Sequence, residues 1–275
     1  MRLPRYISYQ LSWQLKRCRW LFPFGLLLFL SYRAFNYLTS PESYVNLSVN
    51  AWDLMFVVFG NPFYVYFAIG LLFIYLVSDL LPEGKLGQLT LIRLRSRSQW
   101  WYGKVITLFI LTLIYVVGFA SLTGVIAQVS LPGSAEYSEQ AQAFPESVNL
   151  SIQFFRKIQP PKPFLMILEE LSLLFLGLFS FGLLMLIANL LLKKYYYGLI
   201  ITFGILLGSY LGGMISGQPG WSKLLPSAHF TYITTQPIRQ VPYLLSIVYW
   251  LVWIILAVLS GFILSKRQNH YALSE

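Results

Sequence analysis

The sequence predicts an all-α membrane protein of six transmembrane helices with both termini in the cytoplasm, and three observations carry that prediction. Apolar residues fill 57% of the 275 positions and charged ones 11%, too little charge to solvate a globular surface. Separate apolar stretches reach the roughly 20 residues that a helix needs to cross a hydrocarbon core about 30 Å thick. The 20 basic residues, set against 10 acidic ones, gather in alternate connections between those stretches.

In chain order the expected spans are Trp20 to Leu38, Asn61 to Leu81, Trp101 to Val129, Phe164 to Leu192, Tyr197 to Ile215 and Tyr243 to Leu264. In "FGNPF" Asn61 can cap the second span and Pro62 suits its first turn. Pro82 disfavours helical geometry at Leu81 and so marks its end. Of the basic residues, 14 lie before the first span, between the second and third, between the fourth and fifth, or after the sixth. By the positive-inside rule that side is cytoplasmic. The charge therefore reports topology, and a nucleic-acid partner is not expected. Arg33, inside the first span, is placed near the outer interface, where it can snorkel.

The chain reads as one transmembrane domain, residues 1–275, with three further segments. In 1–19, Leu3, Ile7, Leu11, Leu15 and Cys18 form one helical stripe with Arg5, Lys16 and Arg19 roughly opposite, the pattern of an amphipathic helix on a membrane surface. Residues 131–163 hold Glu136, Glu139 and Glu146 and read as a small extracellular cap. Residues 216–242, rich in Gly, Pro and aromatics, read as a segment dipping into the outer leaflet.

Residues 82–104 are the basic connection between the second and third spans. As a helix, Leu86, Leu89 and Thr90 fall on the side of Arg93 and Arg97, an apolar patch edged by cations. Trp100, Trp101 and Tyr102 then suit the headgroup level. Glu83, Gly87, the leucines Leu89, Leu91 and Leu94, the pair Ser96 and Arg97, and the pair Gly103 and Lys104 follow one another in an order that resembles the loop after the second span of type-2 ABC transporter permeases. The proline that often precedes the Ser-Arg pair in that family is absent. The resemblance extends to the whole plan: an N-terminal amphipathic helix, six spans, both ends inside and a dipping segment between the last two spans.

What the resemblance implies is the membrane subunit of an exporter in a bacterial plasma membrane, whose coupling helix docks on a separate ATPase. The docking residues would be Glu83, Leu86, Gly87, Leu89, Arg93, Arg97 and Lys104. The chain has no G-x-x-x-x-G-K-[ST] loop, so ATP and Mg2+ would be bound by the partner, and no cofactor is expected here. Two ATPase copies and a second permease, identical or paralogous, would complete the complex. Its cargo would be amphipathic, such as a peptide.

Two other readings remain open. Asp79, or the pair Glu169 and Glu170, could serve an ion-coupled transporter or channel, or the two glutamates could draw cationic cargo to an outer vestibule. The same pair with His229 is a poor match to an intramembrane hydrolase of the prenyl-endopeptidase type, since Leu174 stands where that motif needs arginine.

Overall fold

The computed structural model describes residues 3–40, 47–81, 94, 96–150, 161–192, 195–215, 223–231 and 241–267. Those residues are helical or irregular, with no strand among them. In order, α1 is Leu3–Leu15; a 3-10 turn at Cys18–Leu21 leads into α2, Phe22–Thr39; α3 is Ala51–Gly60. A π-helical stretch, Tyr64–Gly70, runs into α4, Leu71–Val77, and a 3-10 turn at Ser78–Leu80. Then come α5, Arg97–Ser130; the short α6, Glu139–Ala143; α7, Pro163–Leu192; α8, Tyr195–Ile215; the single turn α9, Ser227–Phe230; and α10, Tyr243–Arg267.

Five helices are long and apolar enough to cross a membrane. A sixth is reached by counting α3 together with Tyr64–Leu80, which meet at an angle of 80°. The second span is thus not the straight rod beginning at Asn61 that hydropathy suggests. Asn61 accepts hydrogen bonds from the Phe63 and Tyr64 amides through its side chain, at 3.0 and 3.4 Å, and so starts a helix as expected. It is also where the preceding helix ends, because its ψ of 112° takes the chain out of helical geometry.

That preceding helix has its own start signal. The Asn50 side chain accepts from the Trp52 amide at 3.0 Å while the Asp53 carboxylate accepts from the Asn50 amide at 2.8 Å, a reciprocal capping box. Nine of its ten residues are buried. The segment 131–150 lies over this start as a cap: Asn50 Nδ2 donates to the Glu136 carbonyl at 2.9 Å, Trp52 Nε1 to that of Ser134 at 2.7 Å, and the Ala51 amide to that of Pro132 at 3.1 Å.

At the centre stands α7, two-thirds of whose apolar window is buried, flanked by α5, α8 and α10. By contrast α10 buries little, and its Leu244, Val248, Leu251, Ile255 and Leu259 face outward. The π-helical stretch widens the turn before Gly70. The Ile69 carbonyl accepts from the buried Tyr115 hydroxyl of α5 at 2.9 Å, a cross-helix bond in a setting without water.

At the end of the bundle that carries the basic segments, Trp100 and Trp101 are buried inside the protein, whereas Tyr102 is exposed. With 34 residues α5 is about 51 Å long, more than a core of about 30 Å requires, and α1 and α10 pack against it. Trp101 lies across Gly261 of α10 and donates from Nε1 to the Val258 carbonyl at 3.0 Å. A side chain at position 261 would overlap that indole. Gly261→Leu should lower the melting temperature in detergent by several degrees, from an overpacking penalty of about 1–3 kcal/mol. Gly208→Leu, at a glycine with open space beside it, should leave the melting temperature within a degree or two, on the order of a surface change.

Candidate functional site

The feature that organises the basic end is a lysine in an apolar helix. Lys104, in the second turn of α5, is fully buried. A buried ammonium must be met by oxygen, since leaving it without partners costs several kcal/mol. It donates to Gln10 Oε1 of α1 at 3.1 Å and to the Leu80 carbonyl, at the end of the second span, at 2.8 Å. Its Nζ also lies 5.9 Å from the centre of the Tyr6 ring. One residue earlier, Gly103 leaves room for that ring; a Cβ there would stand 2.5 Å from it.

This contact turns α1 in a way its apolar stripe does not reveal. The face pressed on the protein is Tyr6, Gln10 and Gln14, spaced four apart, and it is mostly polar. Of the expected stripe, Leu3, Ile7 and Leu11 are half-buried, while Leu15 and Cys18 are exposed. The helix is seated by Tyr6 and its amide side chains, with Leu3 and Leu11 packing beside them.

A second polar cluster extends the first. Asp79 forms ion pairs with both Arg17 and Arg19 and accepts from Gln14 Nε2 at 3.2 Å. Arg19 also donates to Gln14 Oε1. These arginines and Gln14 hold Asp79 in a structural polar cluster. Next along the chain, Asn189 of α7 donates to the Leu81 carbonyl at 2.9 Å. Side chains from α1, the turn after it, α5 and α7 thus converge on residues 79–81, immediately before the basic connection.

The far side of that connection is fastened too. Ser96 caps α5, its hydroxyl accepting from the Gln99 amide at 3.4 Å, and Leu94 is buried. Arg97 reaches across to donate to the Lys266 carbonyl at 2.9 Å, in the last turn of α10, where a cation meets unpaired carbonyls and the negative end of the helix dipole. Of the residues expected to dock a partner, Glu83, Leu86, Gly87, Leu89 and Arg93 lie outside the described residues. Arg97 is half-exposed and also serves α10, and Lys104 is inside the protein, where it joins helices instead of facing a partner.

At the opposite end, Glu169 is half-buried and Glu170 almost wholly enclosed in the second turn of α7. Beside them Tyr137 of the cap donates to the Pro161 carbonyl at 2.6 Å. Burial, with the neighbouring Glu169 charge second, raises its phenol pKa well above the ordinary value. His229 is buried and stacks on Tyr249 at 3.9 Å between ring centres. Its Nε2 faces the Lys223 carbonyl at 2.8 Å and therefore carries the proton; Nδ1 meets the Ser246 hydroxyl at 3.1 Å. Both ring nitrogens are occupied by structural bonds. Among the described residues no three His, Cys, Asp or Glu side chains come together in a way that could hold a metal ion.

An open apolar groove of about 780 Å³ runs between the start of the first span and the second. Cys18, Leu21 and Gly25 form one wall, and Phe67, Leu71 and Tyr75, spaced four apart, form the other.

Lys104→Met should leave Gln10 and the Leu80 carbonyl without a donor, each at about 1–3 kcal/mol. Hydrogen exchange of the α1 amides should then quicken roughly tenfold or more, with exchange in the middle of α7 unchanged. Unaltered α1 exchange would show that the lysine does not hold the helix. No protein-family model, curated protein or solved structure matches this chain.

Proposed function

We propose that the chain is the membrane subunit of an ATP-driven exporter, acting with a second permease and two copies of a separate ATPase that binds ATP and Mg2+. The observation that carries this reading is the fastening of both flanks of the basic connection. Asp79, Leu80 and Leu81 are tied to α1, α5 and α7, and Arg97 is tied to the end of α10. A partner that grips residues between these flanks pulls on four helices at once and not on a slack loop. That is what a coupling segment needs in order to pass nucleotide-driven closure into a tilt of membrane helices.

In this reading the basic end faces the cytoplasm of a bacterium, with the cap and the dipping segment outside. The resemblance to type-2 ABC permeases supports the same assignment. Leu86 and Leu89 fill an apolar pocket on the ATPase, while Glu83, Gly87 and Arg93 set the register. Lys104 contributes from inside, by keeping α1 and the second span in step with α5. The enclosed Glu170 favours one second reading, an ion-coupled transporter without an ATPase.

The test is co-expression with the ATPase encoded nearest to this chain, followed by pull-down. Because Arg97 also serves α10, the decisive variant is Leu86→Ser with Leu89→Ser and Arg93→Glu. Recovery of the ATPase should fall about tenfold or more, from a loss of on the order of 2 kcal/mol at the anchors, with the permease still monodisperse. Full recovery with the triple variant would refute the docking assignment. Transport driven by a proton gradient in vesicles of the permease alone, abolished by Glu170→Gln, would establish the second reading instead.

A further inference from the structure

We infer that the groove between the first two spans is a binding site for one anionic phospholipid, its headgroup at Arg17 and its acyl chain along Cys18, Leu21 and Gly25. This goes beyond the exporter reading and does not depend on it.

Two independent features meet at the same place. The groove is lined almost wholly by carbon and lies in the membrane-spanning part of both helices, so an acyl chain is the natural occupant. At its mouth the charge is unbalanced. Arg17 and Arg19 share one carboxylate, Asp79, among the described residues. In the sequence Lys16, Arg17 and Arg19 outnumber Asp79 and Glu83. Arg17 is partly exposed, and its guanidinium lies 5.2 Å from the centre of the Trp13 ring, itself half-exposed. An indole beside a guanidinium is an arrangement found at headgroup depth. A phosphate arriving there finds surplus cation, while a zwitterionic headgroup brings its own.

Gly25 shapes the wall. A Cβ at this position meets nothing within 4 Å, so a large side chain fits without disturbing the helices and fills the groove instead. This permits a loss-of-site variant that need not harm the fold.

The full chain is placed in nanodiscs of equal parts phosphatidylglycerol and phosphatidylcholine, with a trace of one or the other carrying a photoreactive group on its acyl chain. Adducts are mapped by peptide mass spectrometry. The expected result is labelling of both walls, residues 18–25 and 67–75, with the phosphatidylglycerol probe favoured roughly threefold to tenfold. Gly25→Phe should abolish labelling of both walls, and Arg17→Gln should bring the two probes close to parity with adducts retained. Equal labelling by both probes in the unaltered chain means ordinary boundary lipid and overturns the inference. Absence of adducts together with rapid Cys18-to-Cys18 crosslinking between chains means that a second copy fills the groove, and overturns it as well.

Discussion

A charged amine placed inside a helix bundle has to be given oxygen atoms, and that requirement at Lys104 shapes the whole basic end of this protein. One oxygen comes from the Leu80 carbonyl at the end of the second span, where the chain becomes extended at Leu81. A second donor is met by bringing in Gln10. Once Gln10 is fixed, helical spacing brings Tyr6 over Gly103 and Gln14 to Asp79, and Asp79 in turn collects Arg17 and Arg19. A single buried charge thus joins an otherwise surface-type helix, the end of the second span and the start of α5 into one unit. Such clusters are weak evidence for added stability but strong constraints on arrangement, since removing one member strands the others.

The two ends of the bundle are built by different means. At the cap end, aromatic packing and backbone bonds dominate: Phe230 sits against Gly177, where a Cβ would come within 2.6 Å of its ring, and Trp250 Nε1 donates to the His229 carbonyl at 2.8 Å. At the basic end, ion pairs and amide side chains are added to such packing, with Trp101 on Gly261 and Tyr6 on Gly103. Aromatic contacts tolerate little sliding, because interiors are close-packed and the rings have nowhere to go. Polar side chains can exchange one oxygen for another within the same cluster.

Hydropathy made much of the architecture legible. Five spans begin and end within a few residues of the positions expected from apolar length, because a bilayer imposes a minimum run that few other demands imitate. What composition could not reveal was the identity of neighbours. The leucine stripe of α1 suggested a helix lying on a membrane surface, yet its most buried face is Tyr6, Gln10 and Gln14, with Leu3 and Leu11 packing at its edge. Trp100 and Trp101 had the composition of an interface and became core, since α1 and α10 flank the first turn of α5. The short α3 escaped notice because ten residues fall below the length of a span, although Asn50 and Asp53, three apart before an apolar run, form a readable start signal.

That short helix has a consequence for how the protein is made. Ten residues rise about 15 Å, half a bilayer, so α3 cannot be threaded across a membrane on its own merit. Its start is held by carbonyls of the cap, those of Pro132, Ser134 and Glu136, with partners 81 to 86 positions further along the chain. Those groups emerge from the ribosome only after α5 has been translated. Assembly must then proceed out of sequence order, with the early segment waiting at the membrane until its later neighbours arrive to seat it.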